Sequence, residues 1–565
     1  MWGNSDSTAT LNNNQSEISG MFCHQICRSS VEDVSDEIKE KNETFIKLFD
    51  TVHDGNDIAM KVRGTKDQHW ILDLSLTDLI KNLQDGDIKA VDALIAYQAK
   101  AIEVHKKTNC VVSWVEGAYE QAKELDNNKI ELRGPLHGVP FSVKEMYDIE
   151  GTYSTGGLAK FTKEEYIAKD NSKVVKMLMS LGAVPFCKTN IPQAMISMQC
   201  SNNIFGVTTN PHGDGRECGG SSGGEGALVG GGGSILGVGN DIGGSLRNPA
   251  AFNGCYTLKP SPKRGLSQWG TRNATGAHPI GIRPVGGFLT RSAGDLVKAY
   301  KTVWGCDTIP WRQECYDDKP RIGYFVTDGI LEPASGCKRA VVEAVERLKT
   351  AGFYPKEINP PDMYKVMEYY RGIILSEIDS NTLKENLSGE LVDSTLKGLM
   401  KIVTWLRLPK CMQSVFSHLE PQVYPQRSVY NNVSKLGRKI SELRVFTAAY
   451  LSYLEREEVD IVLCPAQLLP APPTGVLGDL NAVISPYVAW NAMKCPAGVA
   501  PITVWSIQDD TDMNSYKTHN YEQKRIKEYS KGAIGLPLGV QVWCSSKSLY
   551  NDSNQLLIDC GETLS

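Results

Sequence analysis

The chain has 565 residues, 41% hydrophobic and 22% charged, long enough for a large core. Its 60 basic and 65 acidic residues leave a net charge of −5, without the basic excess that wholesale nucleic-acid binding leaves in a sequence. Fifteen cysteines, an odd number with no CxxC pair, argue against a disulfide framework and point to reduced thiols in a cytosol-facing protein.

The first twenty residues, MWGNSDSTATLNNNQSEISG, are polar and lack the apolar core of a secretory signal or a membrane span. Residues 1–35 read as flexible, and Val34 to Arg63 suggests a helix; these make an N-terminal region, 1–70, ahead of one large domain, 71–565. Leu76–Ile95 suggests two short amphipathic helices around Gly86, and Ala101–Ala122 further helix and strand. GPLHGVPFSVKE (Gly134–Glu145) reads as a turn feeding a short buried strand with Lys144 at its end. A helix over Ser172–Ser180 leads into GAVPFCKTN, a loop–strand–loop pattern. After a glycine-rich block, short strands and loops run to about Gly305. Lys319–Val326, a helix over Lys338–Thr350, and Leu348–Ile358 repeat a strand–helix–strand rhythm. Tyr364–Glu457 is predominantly helical. Asp460–Cys464, GVAPITVW (Gly498–Trp505) and GLPLGVQVW (Gly535–Trp543) are strand signals. Four prolines exclude the uncharged run Ile461–Gly478 as an ordinary spanning helix. The alternation predicts an α/β fold: a mixed, twisted β-sheet covered by helices on both faces.

Thirteen of the 26 residues from Gly219 to Gly244 are glycine, with Ser221 and Ser222 near one end and Ser245 just past the other. A phosphate-binding P-loop requires a lysine after its glycines, and none follows; GVGNDIGG also misses the spacing GxGxxG by one residue. Gly219–Gly223 fits the GxSxG elbow of α/β-hydrolases, but the late histidines that fold needs, His418 and His519, lack a loop-after-strand setting. A serine nucleophile needs a base, and without a suitable histidine a lysine is the alternative. Glycines before Ser245 would free consecutive backbone N–H groups to face a developing oxyanion. On this reading the block is the backbone of an oxyanion hole and a tight turn between two serines. Histidine and cysteine are dispersed without ligand spacing, so the sequence calls for no metal and no cofactor.

The run GGSSGGEGALVGGGGSILGVGNDIGGSLRNPAAFNGCYTLKP resembles the defining segment of the amidase signature family, and GVPFSVKE matches its upstream lysine motif. The resemblance covers about residues 70 to 545. CSNNIFGVTTNP, CPAGVAPITVW and GLPLGVQVW look most like the fatty acid amide hydrolase branch. It implies Ser245 as nucleophile, Ser221, at a cis peptide bond, as bridging serine, and Lys144 as base. It implies an oxyanion hole from the N–H groups of Ile242, Gly243, Gly244 and Ser245. Ser222 would hydrogen-bond the lysine or serve as a turn residue. Asp241 and Arg247 would form a structural charge pair or hydrogen-bond network. Taken alone, Lys144 reads as a strand-end lysine with its amine in water; the family match reverses that. Met195 and Ile196 match positions lining an acyl-chain channel.

Lys397–Leu419 carries Lys397, Lys401, Arg407 and Lys410 among apolar residues, with no acid and with Pro409 in the middle. That pattern suits an interfacial helix, or a core helix with solvated lysines; the resemblance favours a membrane-binding cap that admits lipid amides. It also implies a homodimer, peripheral or monotopic on intracellular membranes, cleaving fatty acid amides such as N-acylethanolamines. An amidase acting on glutamine or small amides is the alternative. Cys218 stands where close relatives usually have proline.

Overall fold

The computed structural model describes residues 69–544, apart from 263–264, 267–272, 305–319, 388, 394–395, 397–431 and 481, together with Glu40 and Glu43. The rest of the N-terminal region, the segment Lys397–Leu419 and residues 545–565 therefore lie outside the described residues. Among those described, no helix is long and apolar enough to cross a membrane.

Leu76, Leu79, Ile80 and Leu83 share one side of the helix Leu76–Asp85, and all are buried. Ser75 caps its start by accepting the Asp78 amide at 3.1 Å, and Gly86 ends it in the left-handed conformation, φ 85°. The next helix, Ala90–Thr108, runs well past the expected end at Ile95, because Ala101, Ile102 and Val104 extend its buried face.

Among the described residues fifteen strands follow in chain order: β1 (Val111–Trp114), β2 (Pro140–Lys144), β3 (Val184–Thr189), β4 (Ser201–Asn202), β5 (Gly206–Val207), β6 (Thr209–Asn210), β7 (Gly213–Glu217), β8 (Gly237–Asp241), β9 (Tyr256–Lys259), β10 (Val285–Thr290), β11 (Ile322–Tyr324), β12 (Lys356–Glu357), β13 (Ile461–Pro465), β14 (Ala497–Val504) and β15 (Pro537–Cys544). Eleven form one sheet, ordered β1-β3-β2-β8-β10-β9-β14-β15-β13-β11-β12, while β4–β5 and β6–β7 are small separate pairs. β2 runs parallel to both β3 and β8. β11 is parallel to β12 and β13, and the pairs from β8 across to β13 are antiparallel. The mixed sheet is the expected one. Every residue of β2, β3, β8, β10, β13 and β15 is buried, which requires cover on both faces.

The helix Ser335–Thr350 packs on β13, β14 and β15, and the helix Gly223–Gly230 on β2, β3, β8 and β10. A second apolar cluster joins the helices Met363–Glu377, Val433–Arg456 and Ser485–Ala492 around Trp490 and Trp543, whose rings stack 4.0 Å apart.

Sequence reasoning assigns the glycine block to turns and an oxyanion hole; part of it, Gly223–Gly230, is a helix despite glycine's poor helix propensity. The reason is close packing. A Cβ on Gly224 would lie 2.8 Å from the carbonyl oxygens of both Asn190 and Cys110, and one on Gly226 would lie 2.8 Å from the Pro249 side chain. Gly224→Ala is therefore expected to lower the thermal midpoint, because overpacking against fixed backbone costs about 1–3 kcal/mol against a helix-propensity gain of about 1 kcal/mol. A raised midpoint in thermal denaturation would contradict this packing.

Candidate active site

β2 delivers Lys144 into the interior rather than to water: its side chain is 0% exposed. Its Nζ donates to Ser221 Oγ at 2.6 Å and to Asn240 Oδ1 at 2.7 Å. Burial lowers Lys144 to about 7, and the nearby Asp241, Glu225 and Glu145 carboxyls oppose that shift only in part. Burial also pushes Glu225 up to about 8; it accepts from Ser142 Oγ at 2.8 Å and Thr189 Oγ1 at 2.7 Å.

Ser221 follows a cis peptide bond, Gly220–Ser221. The turn before it is held from two sides. Asn248 Oδ1 accepts the Gly220 amide at 3.0 Å, and Gly219 takes φ 78°. Cys218 is fixed by donating its thiol to the Thr208 carbonyl at 3.3 Å, while its own carbonyl accepts Asn253 Nδ2 at 2.7 Å.

Ser245 lies half-buried beyond the end of β8. Its carbonyl accepts the Ser222 amide at 3.1 Å, which ties the two serine segments together. Among the described residues no hydrogen bond joins the Ser221 and Ser245 hydroxyls directly. Ser222 does not hold Lys144: its hydroxyl donates to the Asn240 carbonyl at 3.3 Å and accepts the Asn240 amide at 3.4 Å. The lysine's second contact is the Asn240 side chain instead.

Asp241 and Arg247 are both fully buried and form a two-pronged ion pair, with Nε to Oδ2 and Nη2 to Oδ1 each 2.9 Å. Burial alone would raise Asp241, but the Arg247 guanidinium outweighs it and holds the carboxyl well below the usual carboxylate range. Asp241 Oδ1 also accepts the Gly244 amide at 2.8 Å. This corrects the expected oxyanion hole: the Gly244 N–H is already engaged, leaving Ile242, Gly243 and Ser245 as candidate donors.

The sequence profile of the family described as Amidase matches residues 92–548. The chain belongs to the amidase signature family. As an amidase it hydrolyses amide carbon–nitrogen bonds. It is 32% identical over 502 residues to fatty acid amide hydrolase 1 of Caenorhabditis elegans, covering 85% of this chain and 86% of that one. It is 31% identical over 494 residues to fatty-acid amide hydrolase 1 of Sus scrofa, covering 84% and 83%. A solved structure titled fatty acid amide hydrolase superposes with a TM-score of 0.76 at 25% identity, over 95% of this chain and 94% of that one.

In this amidase Met195 and Ile196 sit half-buried on a loop whose Ala194 and Met195 take positive φ, 53° and 60°. Both side chains pack against an apolar cluster that includes Leu158, Phe161, Leu383, Leu387 and Leu396. A Cβ on Gly220 would meet Met198 Cα of the same loop at 3.1 Å, so the loop borders the Gly220–Ser221 turn.

Sequence reasoning missed Asn240, Asn248 and Asn491. Asn240 had a signal, standing within GVGNDIGG just before Asp241. Asn491 had none: it donates to Asp241 Oδ1 at 3.0 Å from 250 residues away. Arg247 further donates to Gln541 Oε1 at 2.6 Å and to the Tyr487 carbonyl at 3.0 Å. Arg247→Met would strand Asp241 as a buried unpaired charge, at a cost of about 3–5 kcal/mol in urea unfolding. Asp241→Asn combined with Arg247→Met is expected to recover part of that loss. An unchanged urea midpoint in the single variant would show that the pair does not anchor this turn.

Proposed function

We propose that this amidase cleaves fatty acid amides to a fatty acid and an amine, through a Ser245 acyl-enzyme activated by Ser221 and Lys144. The observation that carries this is the buried Lys144 amine, 2.6 Å from Ser221, within the fold of a carbon–nitrogen hydrolase. Similarity to the C. elegans and pig fatty acid amide hydrolases over most of both chains, and the apolar cluster beside Met195 and Ile196, support the substrate class.

Above about 7 the Lys144 amine is neutral, with two N–H bonds and one lone pair. With Asn240 Oδ1 holding one N–H, the lone pair can face Ser221 Oγ and take its proton, reversing the donation that the ammonium makes there. Ser221 in turn takes the Ser245 proton as Ser245 Oγ forms a bond to the amide carbon. The resulting oxyanion faces the amides of Ile242, Gly243 and Ser245, where one donor is worth about 3–4 kcal/mol. The Lys144 proton returns through Ser221 to the leaving nitrogen, the C–N bond breaks, and the amine departs. Water then attacks the ester carbon, losing a proton to the same relay; the bond from Ser245 Oγ to that carbon breaks, the relay returns the proton to Ser245 Oγ, and the acid is released. On the same reading the basic, apolar segment 397–419 contacts a lipid surface, and the enzyme is a homodimer.

Hydrolysis of an N-acylethanolamine is expected to exceed that of glutamine and of acetamide. Ser245→Ala should abolish both hydrolysis and fluorophosphonate labelling. Faster turnover of acetamide or glutamine would overturn the substrate class, and retained labelling the nucleophile.

The base must be unprotonated, so kcat/KM should rise with pH through about 7 and level off above it. Asn240→Asp would set a carboxylate against the amine, favour the ammonium, and move that limb upward by more than about one pH unit. A limb that stays at the wild-type pH places the base elsewhere.

A further inference from the structure

The peptide joining Ile242 to Gly243 lies beyond the end of β8, whose ladder with β10 stops at the pair Asp241–Val285. Among the described residues no sheet partner orients it. One side of it is glycine, which tolerates either orientation of the peptide plane at little cost. A planar trans peptide points its C=O and N–H in opposite directions. Whatever holds the Ile242 carbonyl therefore sets where the Gly243 N–H points.

That carbonyl is held by a residue 128 positions away. Tyr370, on the helix Met363–Glu377, donates its hydroxyl to Ile242 O at 3.2 Å. The hydroxyl also fills the space beside Gly243, where an added Cβ would collide with it. Tyr370 is 8% exposed, within the cluster against which Ile242 packs. Burial, with Asp241 next in effect, pushes the phenol up, so it remains a donor at working pH. The neighbouring peptide is fixed separately, its Gly244 N–H bound to Asp241 Oδ1 at 2.8 Å.

We propose that Tyr370 is a positioning residue for the reaction: it clamps the Ile242 carbonyl and so aims the Gly243 N–H at the oxyanion. This rests on the reading of Ser245 as nucleophile and of the amides around it as oxyanion donors. Without the phenol, the peptide is free to turn its carbonyl oxygen toward the developing negative charge. On this reading Tyr370 acts through the backbone of Ile242 and Gly243, not on the substrate.

The test is Tyr370→Phe in the full chain, with Tyr370→Leu as a second variant. Two probes are compared: a long-chain trifluoromethyl ketone, which forms a tetrahedral oxyanion on the nucleophile, and the corresponding alcohol, which does not. The ketone should bind about 10- to 100-fold more weakly to Tyr370→Phe, and kcat should fall in parallel, since losing one oxyanion donor costs about 100- to 1000-fold. KM and the affinity for the alcohol should stay within about twofold. Ketone and alcohol affinities that fall together in both variants would mark a merely structural role and overturn the proposal, as would wild-type ketone binding in Tyr370→Phe. Failure of the underlying reading looks different: Ser245→Ala would then keep its fluorophosphonate label.

Discussion

Two opposite charges without access to water fix the turn on which this amidase depends. Asp241 ends β8 and Arg247 opens the following helix, and each exhausts its hydrogen-bonding capacity on the other and on its surroundings. A buried pair of this kind is weak evidence for net stability, because desolvation offsets much of the attraction. Its value lies in geometry. Asp241 accepts the amides of Gly244, Leu246 and Arg247, so one carboxylate dictates the path of the backbone around Ser245. Arg247 carries the same constraint to β15 through Gln541 and to the helix Ser485–Ala492 through Asn491. The turn is thereby referenced to the sheet rather than to its own flexible glycines.

Lys144 depends on that frame from the opposite side. A buried ammonium is expensive, and the protein meets the problem by depressing the amine's proton affinity rather than by supplying a dedicated counter-charge. Asp241, the carboxylate that most favours the ammonium, is committed to Arg247, and burial pushes Glu225 up. The partners that touch the amine, Ser221 and Asn240, are neutral. Such surroundings suit a group that must gain and lose a proton.

Much of this was legible in the residues, and the gaps have definite physical causes. The α/β alternation, the strand ending at Lys144 and the serine pair were readable because each is local. The environment of Lys144 was not. In a strand buried on both faces, alternation no longer separates inside from outside, so only family resemblance set the direction of that side chain. The helix Gly223–Gly230 was missed because propensity describes an isolated chain. Here the absent side chains let backbones approach one another. The engagement of the Gly244 amide could not be foreseen from a string of glycines. Tyr370, Asn491 and Gln541 reach this region from 120 or more positions away, and no single sequence encodes such pairings.

The groups proposed to move protons all fall between Lys144 and Ser245, and β2 and β8, which carry or adjoin them, are neighbours in the sheet. The apolar cluster beside Met195 and Ile196 draws on Leu383, Leu387 and Leu396, from a later part of the chain. Leu383, Leu387 and Leu396 can therefore change, and with them part of the apolar surface beside Met195 and Ile196, while every proposed proton carrier keeps its place. The cluster thus joins residues that share a stretch with the proton carriers, Leu158, Phe161, Met195 and Ile196, to residues that do not, and only the second set can change without disturbing the first.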